Sequence, residues 1–301
     1  MRPKNPPTLQ TFLRKVYLPA SLNCGPRTAR DYRSVVEHLV EWYGRDVRLS
    51  RLSDDMLCRY LRHLSENGAA PATVNSHRAK ILALWRCAWR KRYVNELPRD
   101  VPKLREPQRV PEAWTVAEVS CLVAHCRELP GKIGPVEKAT WWTSLVLATW
   151  ETGQRIGALL QSRRDDFKGG ARTLLIRPDT TKTGAGQLYS LSENAVGAIS
   201  AALHIDNTLI WQWPHGRRWF FAQFRRIVEA AGLKAGPHND LFHKLRRSNL
   251  SYTAANGGID LARQQAGHDH ARTTLKHYVD PRIARPPSAR DVLPPLTDKE
   301  D

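Results

Sequence analysis

The chain reads as mainly α with a small β-sheet, divided into two domains. Three observations carry that reading. Residues 8–92 hold four apolar stripes at helical spacing. Pro98, Pro102, Pro107 and Pro111 then break any regular element across residues 93–112. Helical patterning resumes afterwards, interrupted by two strand-like runs around Thr181-Lys182-Thr183-Gly184.

Taken in order, Leu9, Phe12, Leu13, Val16 and Tyr17 give the first stripe. The second runs from Arg27 to Tyr43 and stops at Gly44. Ser53 caps a third, with Leu57, Tyr60, Leu61 and Leu64 inward and Gly68 beyond its end. Pro71 opens the fourth, which carries Val74, Ile81, Leu82, Leu84, Trp85 and Trp89. Its other face holds His77, Arg78, Lys80, Arg86, Arg90, Lys91 and Arg92, a surface suited to tracking phosphates. Trp85 and Trp89 read as core residues rather than base-stackers. Thr115-Val116-Ala117-Glu118 is a capping-box signature and starts the second domain. An apolar helix from Ala139 to Trp150 stops at Gly153, with Arg155 on the turn that follows. Arg172–Arg177 and Gln187–Leu191 pair as strands. Helices follow near 192–203, 217–231, 241–256, 259–266 and 271–279. The expected boundaries are 1–92, a linker at 93–112, a second domain at 113–281 and a tail at 282–301. The tail has no periodicity and is expected to be extended or disordered alone.

Lys and Arg exceed Asp and Glu by 18. A chain this basic points to a polyanion, most often nucleic acid. Residues 1–110 hold 22 basic residues against 10 acidic, the stronger bias per residue. Cys24, Cys58, Cys87, Cys121 and Cys126 are odd in number and fit no paired zinc spacing, so no metal is expected. The opening Met1-Arg2-Pro3-Lys4 is unlike a secretory signal, and no apolar run is long enough to span a bilayer. The expected location is the cytoplasm, with thiols reduced and no membrane partner.

The chemistry concentrates in His243-Lys244-Leu245-Arg246-Arg247, Gly267-His268 and Tyr278. His243 and Arg246 share a helix face at a spacing of three. They offer a proton-handling group beside a planar fork that bonds two oxygens. Tyr278 lies ten residues beyond His268, before Pro281. Upstream, Thr152-Gly153-Gln154-Arg155 follows the apolar helix, Asp166 closes that segment, and Lys182 sits on the turn between strands.

The order Arg155, Lys182, His243, Arg246, His268, Tyr278 resembles the tyrosine recombinase (phage integrase) family, over roughly residues 8–281. The resemblance implies a helical core-binding domain and an α+β catalytic domain that breaks and rejoins DNA, the two closing around the duplex from opposite sides. It implies site-specific recombination for a mobile element: integration, excision or resolution, through a 3′-phosphotyrosyl intermediate, with no metal or nucleotide cofactor. Tyr278 would be the nucleophile and Arg155 and Arg246 the phosphate clamp. His243 would take or share the tyrosine proton, His268 would bond a nonbridging oxygen, and Lys182 would protonate the leaving oxygen. Expected partners are double-stranded DNA with short inverted repeats and three further copies of the chain, a homotetramer on paired sites. DNA contacts in the first domain fall to Arg78, Lys80, Arg86, Arg90, Lys91 and Arg92. The arm-binding module of the larger integrases is expected to be absent.

Arg247 points about 100° away from Arg246 on a helix, and pairs with a carboxylate or a flanking phosphate. Tyr189 and Tyr252 lack the Gly-His interval, and His270 and His277 are bystanders. The family often has a glutamate three residues after the first arginine, whereas this chain has Ala158. The competing readings are a type IB topoisomerase, which lacks synapsis of paired sites, and an inactive DNA-binding member, which forms no covalent adduct.

Overall fold

The computed structural model describes residues 6–21, 24–181, 184–236, 240–285 and 293–294. The chain forms two compact units, Met1–Gln108 and Arg109–Asp301.

In the first unit α1 (Leu9–Phe12) runs through a π-helical turn (Leu13–Tyr17) into α2 (Leu18–Ala20). Next come α3 (Pro26–Tyr43), α4 (Asp54–Glu66) and α5 (Pro71–Arg90). Each boundary has a local cause. Pro26 and Pro71 open their helices, where a missing N–H costs nothing. The Ser53 hydroxyl accepts the Met56 N–H at 3.1 Å, and Asp54 and Asp55 follow at the positive helix end. Gly44 ends α3 at φ 78°. Leu9, Phe12, Leu39, Tyr60, Ile81 and Leu84 meet in one core.

Two expectations for α5 need correction. Trp85 is buried, with its indole N–H on the Glu96 carbonyl, but Trp89 is 41% exposed. After Lys91 the helix ends, and Tyr93 and Val94 of the following segment pack against the core instead. His77 is buried rather than on the basic face, because it lies in line with Val74 and Ile81. Its Nδ1 shares a hydrogen bond with the Tyr60 hydroxyl at 2.8 Å. Burial first, then His38 and Lys80, push it down to about 4, so it is neutral at physiological pH.

The proline-rich stretch is irregular and tied to this unit. Asp54 accepts the N–H groups of Arg99 and Asp100, Asn75 bonds Leu104 in both directions, and the Arg78 Nε–H reaches the Val101 carbonyl.

The second unit begins with α6 (Val116–Arg127), closed by the Thr115–Glu118 capping box. A short hairpin, β1 (Lys132–Ile133) and β2 (Val136–Glu137), leads into α7 (Lys138–Thr152). After α8 (Ile156–Leu159) comes an antiparallel sheet of β3 (Phe167–Lys168), β4 (Thr173–Ile176) and β5 (Gln187–Ser190), in that order. Then follow α9 (Glu193–Ala202), α10 (Arg217–Ala230), α11 (Leu241–Ala266) and α12 (Ala271–His277). Helix α11 is broken at Gly258, with φ 82° and ψ 167°, where the two sequence patterns had met. The hairpin β1–β2 and strand β3 were not expected; two residues each are too few to show a period. Among the described residues no helix is long and apolar enough to cross a membrane.

Helix α7 is apolar on every side and therefore central. Trp141, Trp142, Leu145, Val146 and Ala148 have no exposure, and Trp142 stacks on Phe220 and Phe224 of α10. Gly153 ends α7 at φ 60°, and a Cβ there would lie 2.3 Å from Asn249 Oδ1. That Asn249 donates to the Trp150 carbonyl at 2.6 Å and the Glu151 carbonyl at 3.2 Å, which seats α11 on the end of α7.

Gly153→Ala should therefore destabilise the second unit. The left-handed backbone alone costs an L-residue about 1–2 kcal/mol, and displacing Asn249 adds to it. The urea midpoint of the variant checks this; an unchanged midpoint would mean that α7 can end elsewhere.

Candidate active site

Arg246 is fully buried, which for a guanidinium needs an electrostatic reason. The reason is two helix ends. The last carbonyls of a helix lack intrahelical partners and carry its partial negative charge. Arg246 Nη1 donates to the Gly153 carbonyl, just past α7, at 2.6 Å. Nη2 donates to the Ala266 carbonyl, the last of α11, at 2.8 Å, and to His268 Nε2 at 3.1 Å. Its Nε–H is buried without a partner. Burial lowers its pKa to about 10, and Arg155 adds to the fall while Tyr278 opposes it, so the group stays charged at neutral pH.

Helix α11 stops because Gly267 takes the left-handed conformation at φ 61°, and the His268 N–H folds back onto the Arg263 carbonyl at 3.1 Å. This places the imidazole against Arg246. The arginine only donates, so His268 Nε2 is the acceptor. Nδ1 therefore holds the proton and donates to Thr274 Oγ1 of α12 at 3.0 Å. Burial, then the charges of Arg246, Arg155 and His277, outweigh Asp269 and push His268 down to about 4.

Tyr278 is the residue at which α12 ends. Its ring centroid lies 5.0 Å from that of His268 and 4.8 Å from the Arg246 guanidinium carbon. The Ser251 hydroxyl donates to the Tyr278 carbonyl at 3.3 Å, and the next turn is closed by buried Asp280. The Asp280 carboxylate accepts from the Ala113 N–H at 2.8 Å and pairs with Arg282. Burial pushes Asp280 up, but Arg282 and the two backbone donors outweigh it and hold it below the usual carboxylate range.

Arg155 caps α8 from an extended backbone and is half-buried. Neither nearby carboxylate pairs with it. Glu151 accepts from the Ser192 N–H, and Asp166 pairs with Arg177. His243 is half-buried on the same face as Arg246. Burial, then Arg246 and Arg247, hold it below the usual imidazole range against the pull of Asp240. Arg155, His243, Arg246, His268 and Tyr278 thus come together. Lys182 lies outside the described residues.

The other candidates fall elsewhere. Arg247 pairs with Asp240 at 2.6 Å. The Tyr252 hydroxyl accepts the Val116 N–H, and Tyr189 is buried against Gln154. Ala158 is buried beside Leu159. All five cysteines are free, and among the described residues no cluster could hold a metal. On α5 and just beyond it, Arg86, Arg90, Lys91 and Arg92 are exposed, while Arg78 and Lys80 are half-buried, Lys80 bonding Ser76. Sequence reasoning missed Gln154, Tyr189, Gln265, Thr274 and Asp280. Only Asp280 left a trace, as a carboxylate set between Val279 and Pro281.

A family model, Phage integrase family, matches residues 114–285, and a second, Phage integrase SAM-like domain, matches residues 8–102. The chain belongs to the phage integrase family and is a tyrosine recombinase, an enzyme of site-specific DNA recombination. Among solved structures it is similar to a lambda integrase dimer bound to a COC′ core site, at 18% identity and TM-score 0.69, covering 90% of this chain and 78% of that one. It is also similar to a lambda integrase tetramer bound to a Holliday junction, with the same identity, TM-score and coverage. The Tn1549 transposon integrase in complex with transposon right end DNA matches at 13% identity and TM-score 0.70, covering 95% of this chain and 97% of that one. At these identities the likeness is one of fold. No curated protein sequence matches the chain.

The neutral His268 has a measurable consequence. The unfolded chain takes up a proton near 6.5, and the folded chain does not until about 4. Stability from this group is complete above the unfolded value and declines as pH falls toward the folded one. His268→Asn should lower stability near neutrality yet shrink the loss between about pH 7 and about pH 4.5 by roughly 2 kcal/mol. Urea unfolding at the two pH values checks it; equal losses in both proteins would place the pH dependence elsewhere.

Proposed function

We propose that Tyr278 is the nucleophile of this recombinase. Its oxygen bonds to a DNA phosphorus as the bond to the 5′-oxygen breaks, leaving a 3′-phosphotyrosyl link and a free 5′-hydroxyl. The link conserves the energy of the broken ester, so a 5′-hydroxyl can later attack it and rejoin the strand. The observation that carries this reading is the tyrosine ring lying within 5.0 Å of both His268 and the Arg246 guanidinium. A phenol fixed beside a buried cation and a neutral imidazole is poised to meet a phosphate.

Arg246 and Arg155 then face the nonbridging oxygens. Part of the Arg246 fork is held by Gly153, Ala266 and His268, and the unpartnered Nε–H remains for an anion. Such prearranged donors stabilise the charge that grows on five-coordinate phosphorus. His243, kept neutral by burial and two arginines, accepts or shares the phenol proton. His268 steadies Arg246 by accepting its Nη2–H; with Nδ1–H given to Thr274 it has no N–H left for a nonbridging oxygen. Lys182 delivers a proton to the leaving oxygen. The DNA is a duplex bearing short inverted repeats, gripped in the first unit through Arg86, Arg90, Lys91 and Arg92, with Arg78 and Lys80 beside them. Two such sites are paired by a homotetramer.

Tyr278→Phe should keep its DNA affinity and lose covalent adduct on a nicked suicide duplex by on the order of 10³-fold or more. An adduct that maps instead to Tyr252 would overturn the assignment, and an unmodified protein that forms none would be an inactive member of the family.

For Lys182 the test is chemical. An alkoxide leaves poorly near neutral pH, and a general acid contributes roughly 10²–10⁴-fold. Lys182→Ala should lose about that much on ordinary DNA and regain most of it when the leaving 5′-oxygen is replaced by sulfur. Arg246→Ala should gain nothing from the same sulfur. A Lys182→Ala protein equally slow on both substrates would assign the proton to another residue.

A further inference from the structure

Arg155 presents a problem that the rest of the site does not. Among the described residues no carboxylate pairs with its guanidinium. Its side chain has to stay open to a ligand, so its position has to be set from the backbone. It caps a helix of only four residues, and Ala158, one turn on, offers no polar group to help.

The neighbouring residue is better held. Gln154 is buried, and its Oε1 accepts the Arg155 N–H at 3.3 Å. Its Nε2 donates to the hydroxyl of Tyr189, a buried residue of β5. That hydroxyl donates in turn to the Gln265 carbonyl on the last turn of α11, at 3.0 Å. The Gln265 side chain returns to the end of α7, giving Nε2 bonds to the carbonyls of Glu151 at 2.9 Å and Thr152 at 3.1 Å. The bonds close a ring from Thr152 through Gln154, Tyr189 and Gln265 back to Thr152. Two residues earlier on the same strand, Gln187 Nε2 donates to the Gln264 carbonyl at 3.0 Å, so β5 grips the same helix end twice.

We infer that Tyr189 is a positioning residue for Arg155, its buried hydroxyl locking Gln154, and with it the Arg155 backbone, to the end of α11 that carries His268. Core packing alone does not call for the oxygen. Leu174, Ile176 and Leu191 fill neighbouring positions of the same core without one. A buried hydroxyl is costly unless both its bonds are made, and here both are made to the two chain ends that frame the site. Burial raises its pKa to about 12, so it remains a neutral donor throughout the working pH range.

The inference rests on Arg155 acting on phosphate as proposed above, and its test separates the two. Tyr189→Phe removes one atom and leaves the ring in the core. Gln154→Met keeps length and removes the amide. Each should raise hydrogen exchange across residues 153–158 of the free protein while leaving α9 unchanged. Each should slow single-turnover cleavage of a suicide duplex by roughly 10- to 100-fold, the scale of a small misplacement of a reacting group, with DNA affinity unchanged. In an Arg155→Lys background the Tyr189→Phe change should then add no more than about twofold, the ordinary scatter of additivity. A merely structural role would instead multiply its full loss onto that background. Unchanged exchange across 153–158 in either variant overturns the lock, as does native cleavage by either, or full multiplication onto Arg155→Lys. If Tyr189→Phe does not fold, Gln154→Met decides by the same measures. An unmodified protein that forms no adduct would sink the proposed function, and the exchange measurement on free protein would still judge the lock.

Discussion

The fold is organised around one buried charge. Taking a guanidinium out of water costs several kcal/mol even after relaxation. A hydrogen bond from a charged donor contributes about 1.5–3 kcal/mol, and a helix end of the right sign up to about 2 kcal/mol in a partly buried setting. Among the described residues no carboxylate neutralises Arg246. It is held by the carbonyl-bearing ends of α7 and α11, brought together so that one fork reaches both. Much else follows from that. Helix α7 ends at Gly153 in the left-handed conformation, and only glycine fits there because a side chain would strike Asn249. Helix α11 has to end at Gly267, so that the Ala266 carbonyl faces the guanidinium while the chain turns to deliver His268. The carbonyls left over at the two ends are taken by Asn249, Gln265, Gln187 and Tyr189.

An arginine paired with a carboxylate would be a poor phosphate ligand, since the carboxylate competes for the same donors. Helix ends hold the cation with partial charges only and leave it a net positive charge. The same field acts on its neighbours. Burial first, and then the charges of Arg246 and Arg155, disfavour protonation of His243 and His268. Both imidazoles are therefore bases at neutral pH. Their difference is in hydrogen bonding: His268 is committed between Arg246 and Thr274, whereas His243 has no side-chain hydrogen bond among the described residues.

Much of this was legible in the sequence because it depends on short-range signals. The spacing of His243 and Arg246, the caps at Ser53 and Thr115, and the glycines at 44, 153 and 267 each act within a turn or two of helix. What escaped depends on partners distant in sequence. Tyr189 looks like any aromatic in a strand, and only the approach of Gln154 and Gln265 gives its hydroxyl a purpose. His77 carries the charge pattern of an outer face, but Tyr60 supplies a buried partner, and burial then removes the charge. Trp89 has the spacing of a core residue, yet it is exposed, while Tyr93 of the segment after the helix packs on the core. The strands β1, β2 and β3 are too short for any period to appear.

The anchoring of Tyr278, the proposed nucleophile, shows the same division between what must be rigid and what must be free. Around Tyr278 the backbone is tied closely. Ser251 Oγ donates to its carbonyl and accepts the Asp280 N–H, and Asp280 binds both Arg282 and the Ala113 N–H. Two residues past Arg246, Ser248 Oγ accepts the Trp114 N–H at 2.8 Å. One helix, α11, thus holds the entry to this unit, the arginine, and the segment that follows the tyrosine. The phenol ring lies against His268 and over the Arg246 guanidinium, which also interacts with its hydroxyl. A cation against an aromatic face is worth about 0.5–2 kcal/mol, which rotation about the side-chain torsions can overcome when a phosphate offers Arg246 a stronger partner. If Tyr278 is the nucleophile proposed above, the backbone fixes where the attack begins, and the weak ring contact leaves the oxygen able to make it.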